Sequence, residues 1–212
     1  MPAPVLNQIL SEDNGAAAFA DAPSGMVTFL FSDIEGNTRL WEEQPDTMQS
    51  ALARHDALMQ AAIESRGGVV FKTVGDAFHA VFEHPEAALN AALAAQTSLH
   101  MESWNLKNGR TLRVRMALHT GRAERRGGDY FGAALSRAAR LLAAGHGGQT
   151  LISEAAAVSV SEGLPEGCLL RSLGRHRLKD LAQPQEIFQV LAPLLPGIMF
   201  IINGGTARRE KD

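Results

Sequence analysis

The sequence has little cysteine: Cys168 is the single one in 212 residues. One cysteine excludes an internal disulfide and a metal site built from several thiolates. Such scarcity is typical of proteins that are kept in a reducing compartment. We therefore predict a cytoplasmic protein in which Cys168 is a free, buried thiol.

An excess of one charge is also missing. Lys and Arg number 20 against 23 Asp and Glu, which gives a formal net charge of -3. Proteins that bind nucleic acids generally carry a basic excess, so this balance excludes that class. Two arginine-rich stretches, 122–128 and 175–179, are predicted to be a solvated loop and a solvated hairpin.

Long apolar runs are absent as well. The first 25 residues lack the basic and apolar parts of a secretory signal. The apolar run at 190–202 is interrupted by Pro193, Pro196 and Gly197 and is shorter than the roughly 20 residues that cross a bilayer. No membrane association is predicted, and a chain of this length favours one domain.

The stretch VTFLFSDIEGNTRLW, residues 27–41, organises the rest of the chain. Its apolar first half predicts a strand that is covered on both faces and ends near Asp33. Gly36 permits a tight turn, and Asn37 or Thr38 is predicted to cap the next helix. A carboxylate beside free backbone N–H groups suggests a metal ion with a polyphosphate. The alternative is that Asp33 is only a turn or capping residue.

A second stretch, VVFKTVGDAFHAVF at 69–82, predicts a hairpin with its turn at Gly75 and Asp76. Asp76 is thereby a second carboxylate at a strand end, although aspartate is also a common turn residue. Lys72 has apolar neighbours, which is unusual for lysine. Its ordinary explanation is a solvated edge position.

The remaining elements are predicted from periodicity. Apolar residues between Trp41 and Ile63 predict an amphipathic helix, and an alanine-rich helix is predicted for 84–104. A strand is predicted for 111–119, closed by residues 119–121, and a helix follows Gly132. Ser136 and Arg140 share one face of that helix. His55 and His119 are predicted to be structural.

Four motifs in this order closely resemble the class III adenylate/guanylate cyclase catalytic domain. They are FSDIEGNTRLWE, GGVVFKTVGDAFHAVF, LRVRMALHTG and GDYFGAALSRAARLLAAGHGGQTLIS. The resemblance covers residues 26–191, which leaves an N-terminal arm of residues 1–25 and a C-terminal tail of 192–212. It implies an α/β protein with a ferredoxin-like βαββαβ core and extra C-terminal strands.

The resemblance also implies roles for individual residues. Asp33 and Asp76, with the Ile34 carbonyl, would bind two Mg²⁺ or Mn²⁺ ions, and the backbone of Gly36, Asn37 and Thr38 would hold the β- and γ-phosphates. Lys72 and Asp129 would read the purine, and Arg140 would stabilise charge developing on the phosphates. The family implies a head-to-tail homodimer, in which each site combines the first group of residues from one chain with the second group from its partner.

Hydrogen-bond chemistry favours ATP as the substrate. Lysine is a pure donor and suits adenine N1, whereas aspartate accepts from the 6-amino group. Guanine offers a carbonyl oxygen and an N1–H instead, so it would require a donor where adenine requires an acceptor and an acceptor where adenine requires a donor. Asp129 is assigned by counting back from Ser136, while Lys72 and Asp76 lie in one short motif.

The sequence departs from the family at Ser136, where asparagine normally orients the ribose. Serine is shorter and offers one donor where the amide offers two. Asn37 replaces a common serine, and little consequence is expected there. Three interpretations stay open: an active adenylate cyclase, a nucleotide-binding regulatory module with little turnover, and a cyclase that uses another nucleotide.

Overall fold

The structure, a computed structural model, describes residues 22–195. Most of the predicted arm 1–25 and of the predicted tail 192–212 therefore lies outside the described residues. The strands are β1 (Gly25–Ile34), β2 (Val69–Val74), β3 (Ala77–Phe82), β4 (Val114–Arg126), β5 (Asp129–Phe131), β6 (Thr150–Ser153), β7 (Leu169–His176) and β8 (Gln185–Leu191). The helices are α1 (Asn37–Glu43), α2 (Pro45–Glu64), α3 (Pro85–Met101), α4 (Ala133–Ala144) and α5 (Glu154–Val160).

One sheet runs through the described chain in the order β2-β3-β1-β4-β6-β8-β7, and β5 pairs with β4 alone. Its first four strands, with α2 and α3 as connections, form a βαββαβ unit whose neighbouring strands are all antiparallel. The predicted ferredoxin-like core is thereby confirmed. Strand β6 joins β4 in parallel and β8 and β7 extend the sheet further, which accounts for the predicted extra C-terminal strands.

Helices cover both faces of the sheet. Helices α2, α3 and α5 pack on one face, and α4 packs on the other, which we call the α4 face. Strand β1 alternates between the two layers, with Leu30 and Ile34 in the first core and Phe29 and Phe31 in the second. Its nearly unbroken apolar run follows from this burial on both sides.

The predicted helices are present with small shifts of their ends. Pro45 occupies the first turn of α2, where its missing N–H costs no helical hydrogen bond. His55 of α2 is fully buried, and its Nδ1 is hydrogen-bonded to Asp56, so its predicted structural role is confirmed. Within residues 22–195, no helix combines the length and apolarity needed to cross a bilayer.

Strand β4 is longer than the sequence suggested. The predicted end at 119–121 was wrong, because the strand continues to Arg126 and its second half still pairs with the beginning of β1. The predicted solvated loop 122–128 is mostly strand, since β4 turns at Gly127 and Gly128 into β5. Both glycines have positive φ, as the tight two-residue connection requires. The arginine-rich composition of residues 122–128 had suggested a loop, but these residues form part of an extended hairpin.

We expect His119 to make folding sensitive to acid. Its Nδ1 is hydrogen-bonded to Ser153 Oγ at 2.8 Å, and burial, assisted by the charge of Arg137, lowers the pKa of His119 to about 4. A depressed histidine pKa means that the unfolded chain binds the proton first, so stability is complete above about pH 6.5 and falls toward pH 4. The loss amounts to about 3 kcal/mol by linkage.

Urea unfolding at several pH values tests this. His119→Gln should flatten the dependence of the unfolding free energy on pH between 6.5 and 4. The exposed His100 provides the matched control, and His100→Gln should follow the unmodified protein. Parallel curves for His119→Gln and the unmodified protein would contradict the prediction.

Candidate functional site

The two carboxylates predicted from separate motifs meet at one end of the sheet. Asp33 is the penultimate residue of β1, and Asp76 lies in the turn between β2 and β3. The Ile34 N–H donates to Asp76 Oδ2 at 2.6 Å, so the turn is tied to the end of β1. Gly75 has φ 62°, a conformation that glycine adopts with little strain. The structure thus places Asp76 beside the residue that follows Asp33.

Asn37 does not cap a helix as predicted. Gly36 occupies the N-cap of α1 with φ 71° and no side-chain hydrogen bond, because the left-handed turn needs glycine there. The Asn37 side chain is turned to Asp76, and its Nδ2 donates to Asp76 Oδ1 at 2.6 Å. Asn37 therefore contacts a candidate metal ligand, a contact that the expectation of little consequence did not include.

Arg115 is the residue that sequence reasoning missed. It lies directly opposite Asp33 in the β1–β4 ladder. Its Nε and Nη2 donate to Asp33 Oδ1 and Oδ2 at 2.7 and 2.6 Å, a bidentate pair. In the sequence, Arg113 and Arg115 alternate with apolar residues in the same way, which is typical of a strand. Only the pairing register could identify which arginine faces Asp33.

The Asp33 carboxyl lies in an environment that disfavours its charge. Burial raises its pKa, and the nearby carboxylates of Asp76 and Glu35 act in the same direction. Arg115 opposes them through its hydrogen bonds and its charge. Arg115 is therefore the positive charge that favours the ionised form of Asp33.

The donor set at this end of the sheet fits a hard divalent cation. Carboxylate and carbonyl oxygens are the ligands that Mg²⁺ and Mn²⁺ favour, and Asp33, Asp76 and the Ile34 carbonyl would supply them. The buried Oδ1 of Asn37 accepts no hydrogen bond in the described part of the chain, so an additional oxygen lies beside Asp76. No cluster of three or more His, Cys, Asp or Glu side chains occurs among residues 22–195, so further ligands would come from backbone, water or substrate.

Lys72 and Asp129 form a second group. Lys72 Nζ donates to Asp129 Oδ2 at 2.7 Å, and the Tyr130 N–H donates to Asp129 Oδ1 at 2.8 Å. Burial is the largest influence on the pKa of Asp129 and raises it. The hydrogen bonds and the charge of Lys72 together outweigh burial, and the pKa lies below its usual value. Counting back from Ser136 thus identified an aspartate that reaches Lys72.

The apolar surroundings of Lys72 result from a β-bulge. The register of β2 against β3 shifts between Val70 and Lys72. Phe71 packs against the rings of Phe29, Phe31 and Tyr130. Lys72 keeps 48% of its side chain exposed on the edge strand β2, in agreement with the solvated edge position that is usual for a strand lysine.

The register places both groups on one face of the sheet. Lys72 lies opposite His79, and His79 lies opposite Phe31, so these three side chains point to the same side. Asp33 is two residues beyond Phe31 on β1 and shares that side. Phe31 packs in the core beneath α4, which identifies the shared side as the α4 face.

Helix α4 carries the last two predicted site residues on the same face. Arg140 Nη2 donates to Asp180 Oδ2 at 2.5 Å. The Ser136 side chain is exposed and makes no hydrogen bond with the side chains or backbone of residues 22–195. Within residues 22–195, no hydrogen bond or ion pair links the Asp33–Asp76 group to Lys72, Asp129 or Arg140. A single chain therefore presents the predicted residues as separate groups.

Comparisons with known proteins agree on the relationship. Adenylate and guanylate cyclase catalytic domains match residues 19–191 as a family. Among solved structures, adenylate cyclases from Trypanosoma brucei in their monomeric state superpose with a TM-score of 0.79 at 25% identity, covering 87% of this chain and 96% of theirs. An adenylyl cyclase from P. aeruginosa shares the fold, with a TM-score of 0.70 at 24% identity over 79% of this chain and 94% of its own.

Curated relatives extend the same result. An uncharacterized Mycobacterium tuberculosis protein is 35% identical over 193 residues, which is 90% of this chain and 64% of the relative. A receptor-type adenylate cyclase of Trypanosoma equiperdum is 32% identical over 82% of this chain and 45% of its own length. The chain thus spans less than two thirds of the length of these relatives. It belongs to the class III adenylate/guanylate cyclase catalytic domain family.

Proposed function

We propose that this chain converts ATP into 3′,5′-cyclic AMP and pyrophosphate. The observation that carries the proposal is the arrangement of the α4 face: the carboxylates Asp33 and Asp76 converge at one end of the sheet, and the Lys72–Asp129 pair lies on the same face. Relatives named as adenylate cyclases support the choice of reaction.

The Asp33–Asp76 group is the metal and phosphate half of the proposed site. Class III cyclases use divalent ions, and Asp33, Asp76 and the Ile34 carbonyl would hold two Mg²⁺ or Mn²⁺ ions here. When bound, these ions neutralise the triphosphate and lower the pKa of the ribose 3′-hydroxyl. Backbone N–H groups of Gly36, Asn37 and Thr38 would hold the β- and γ-phosphates, since the first turn of a helix leaves its donors unpaired.

Arg115 would compete with a metal ion for Asp33. Its Nε and Nη2 donate to both oxygens of Asp33. If Asp33 holds a metal ion, Arg115 would need another anionic partner. The planar guanidinium binds phosphate as well as carboxylate, so the triphosphate of a bound nucleotide would be a suitable one.

Lys72 and Asp129 form the base-reading half. Lys72 donates a hydrogen bond to Asp129, so each is the partner of the other within the chain. Adenine presents a matching acceptor at N1 and a donor at its 6-amino group, so it can insert between them and replace one hydrogen bond with two. Their partial exposure, 48% for Lys72 and 32% for Asp129, leaves room for that exchange.

The reaction itself is a displacement at phosphorus. The ribose 3′-oxygen loses its proton and attacks the α-phosphorus, and the bond from that phosphorus to the bridging oxygen breaks to release pyrophosphate. Arg140 would stabilise the charge that develops on the phosphates. Ser136 would orient the ribose with one hydroxyl in place of an amide, and we expect it to limit the rate.

We further propose that the site is completed by a head-to-tail homodimer. Each chain would supply Asp33 and Asp76 to one site, and Lys72, Asp129 and Arg140 to the other. The family relationship supports this arrangement. ATP would then bind in the groove between two copies.

A nucleotide assay tests the proposal. Purified protein is incubated with Mg²⁺ or Mn²⁺ and each of the four nucleoside triphosphates over a range of protein concentrations. The expected product is cyclic AMP from ATP, with specific activity that rises with protein concentration because dimers carry the sites. Absence of any cyclic nucleotide would reject the proposed activity, and a preference for another nucleotide would reject ATP as the substrate.

We predict that base preference can be reversed at the Lys72–Asp129 pair. Lys72→Glu together with Asp129→Ser should shift the ratio of kcat/KM for ATP and GTP by at least about 10²-fold toward GTP, since unmatched buried polar groups discriminate strongly. Competition between the two nucleotides measures the shift. Lys107→Glu is the control for a change of charge alone and should leave the ratio unchanged; an unaltered ratio in the double variant would contradict the assignment.

A second function is favoured by one observation. Serine stands at position 136, where the family normally has asparagine, and its hydroxyl offers one donor where the amide offers two. This favours a regulatory module that binds ATP and dimerises with little turnover. Measurable ATP binding without cyclic AMP formation would support this function, whereas robust turnover by the unmodified chain excludes it.

A further inference from the structure

Arg140 is tied to a loop that the sequence motifs did not include. The loop connects β7 and β8, and its Asp180 accepts a hydrogen bond from Arg140 Nη2 at 2.5 Å. Arg140 keeps 39% of its side chain exposed and Asp180 keeps 61%. The contact therefore lies at the surface beside α4, where a ligand on the α4 face could reach the guanidinium.

Two leucines fix this loop against the helix that carries Arg140. Leu178 is 8% exposed and belongs to the core cluster that contains Leu141 and Leu142 of α4, and Leu181 packs against the same cluster. The Leu181 N–H donates to the Leu178 carbonyl at 3.2 Å, which closes a tight turn around Asp180. The loop that carries Asp180 and the helix that carries Arg140 therefore pack against the same hydrophobic core.

The backbone of Asp180 is unusual. Its φ is 62°, and only Asn108 shares a positive φ among the described residues other than glycine. Glycine adopts this left-handed conformation with less strain than aspartate. Backbone strain that the surrounding structure maintains often accompanies a functional role of the side chain. For Asp180, the contact that suggests such a role is the hydrogen bond from Arg140.

We infer that Asp180 is a positioning residue that aims the guanidinium of Arg140. This inference rests on the proposed function, in which Arg140 stabilises charge on the phosphates. Arginine has five N–H donors, so a bond to Asp180 leaves others for the phosphates. An arginine that is already oriented need not be ordered as the transition state forms, and pre-organised donors of this kind act mainly on kcat.

The test compares Asp180→Asn and Asp180→Gly in the unmodified chain and in an Arg140→Ala background. Both changes should lower kcat about tenfold in the unmodified chain with KM for ATP within about twofold. Neither should lower kcat further when Arg140 is absent, because Asp180 acts through it. Glu162→Gln removes an exposed carboxylate elsewhere and should change nothing.

The glycine variant separates positioning from folding. Asp180→Gly relieves the strained backbone, so its thermal midpoint should equal or exceed that of the unmodified chain while its kcat falls. An unchanged or raised kcat, or an equal loss in the Arg140→Ala background, would overturn the inference.

A second measurement does not depend on turnover. Nuclear magnetic resonance relaxation of the Arg140 Nε should show a more mobile guanidinium in Asp180→Asn than in the unmodified chain. If the unmodified chain makes no cyclic nucleotide, the proposed function fails, and unchanged Arg140 mobility would still reject the inference by itself. Increased mobility would support Asp180 as the residue that orders Arg140.

Discussion

Asp33→Asn should lower cyclic AMP formation by about 10³-fold or more. The substitution keeps the size of the side chain but removes the negative charge with which Asp33 would help to hold a divalent cation. Loss of several kcal/mol of charge stabilisation in the transition state corresponds to a rate effect of this order. Initial rates with saturating Mn²⁺ and ATP measure it.

The first control for this variant is a test that the region around Arg115 still folds. Asparagine can still accept one hydrogen bond from the guanidinium that Asp33 binds through both oxygens. Circular dichroism and the thermal midpoint should therefore show a folded protein. Asp46→Asn, at an exposed carboxylate in the first turn of α2, should retain activity. Turnover of Asp33→Asn within about tenfold of the unmodified rate would remove Asp33 from the proposed metal site.

Mixing two inactive variants should restore activity. Lys72→Ala removes a base-reading residue and Asp33→Ala removes a metal-binding residue. If each site takes one residue from each chain, a heterodimer contains one site with both defects and one intact site. Random exchange of subunits makes about half of the dimers heterodimers, so the mixture should reach about a quarter of the unmodified activity.

The mixing experiment requires subunit exchange, which is measured separately with two differently labelled preparations. Lys72→Ala mixed with Asp129→Ala is the negative control, because both defects lie in the same half of the site and no heterodimer regains an intact one. Exchange without recovery in the first mixture would reject shared sites. Recovery in the control mixture would show that Lys72 and Asp129 do not act together.

Local sequence was sufficient for the parts that depend on neighbours along the chain. The apolar run of β1 ending at Asp33, the hairpin with Asp76 at its turn and the helix with Arg140 are short-range patterns, and each is present in the structure. The ferredoxin-like core was implied by the resemblance to the cyclase family, and the order of the predicted elements agreed with it. Asp129 was located by counting back from Ser136 on the basis of the resemblance.

Contacts between distant parts of the chain determined the features that the local sequence did not predict. Arg115 was indistinguishable from Arg113 until the register of β1 against β4 placed it opposite Asp33. The bulge in β2 explained how Lys72 is exposed among apolar neighbours. Asp180 contacts Arg140, which lies 40 residues earlier in the chain, because Leu178 and Leu181 pack in the core that contains α4. Such contacts depend on which surfaces are buried together, and that is a property of the tertiary structure rather than of any local pattern.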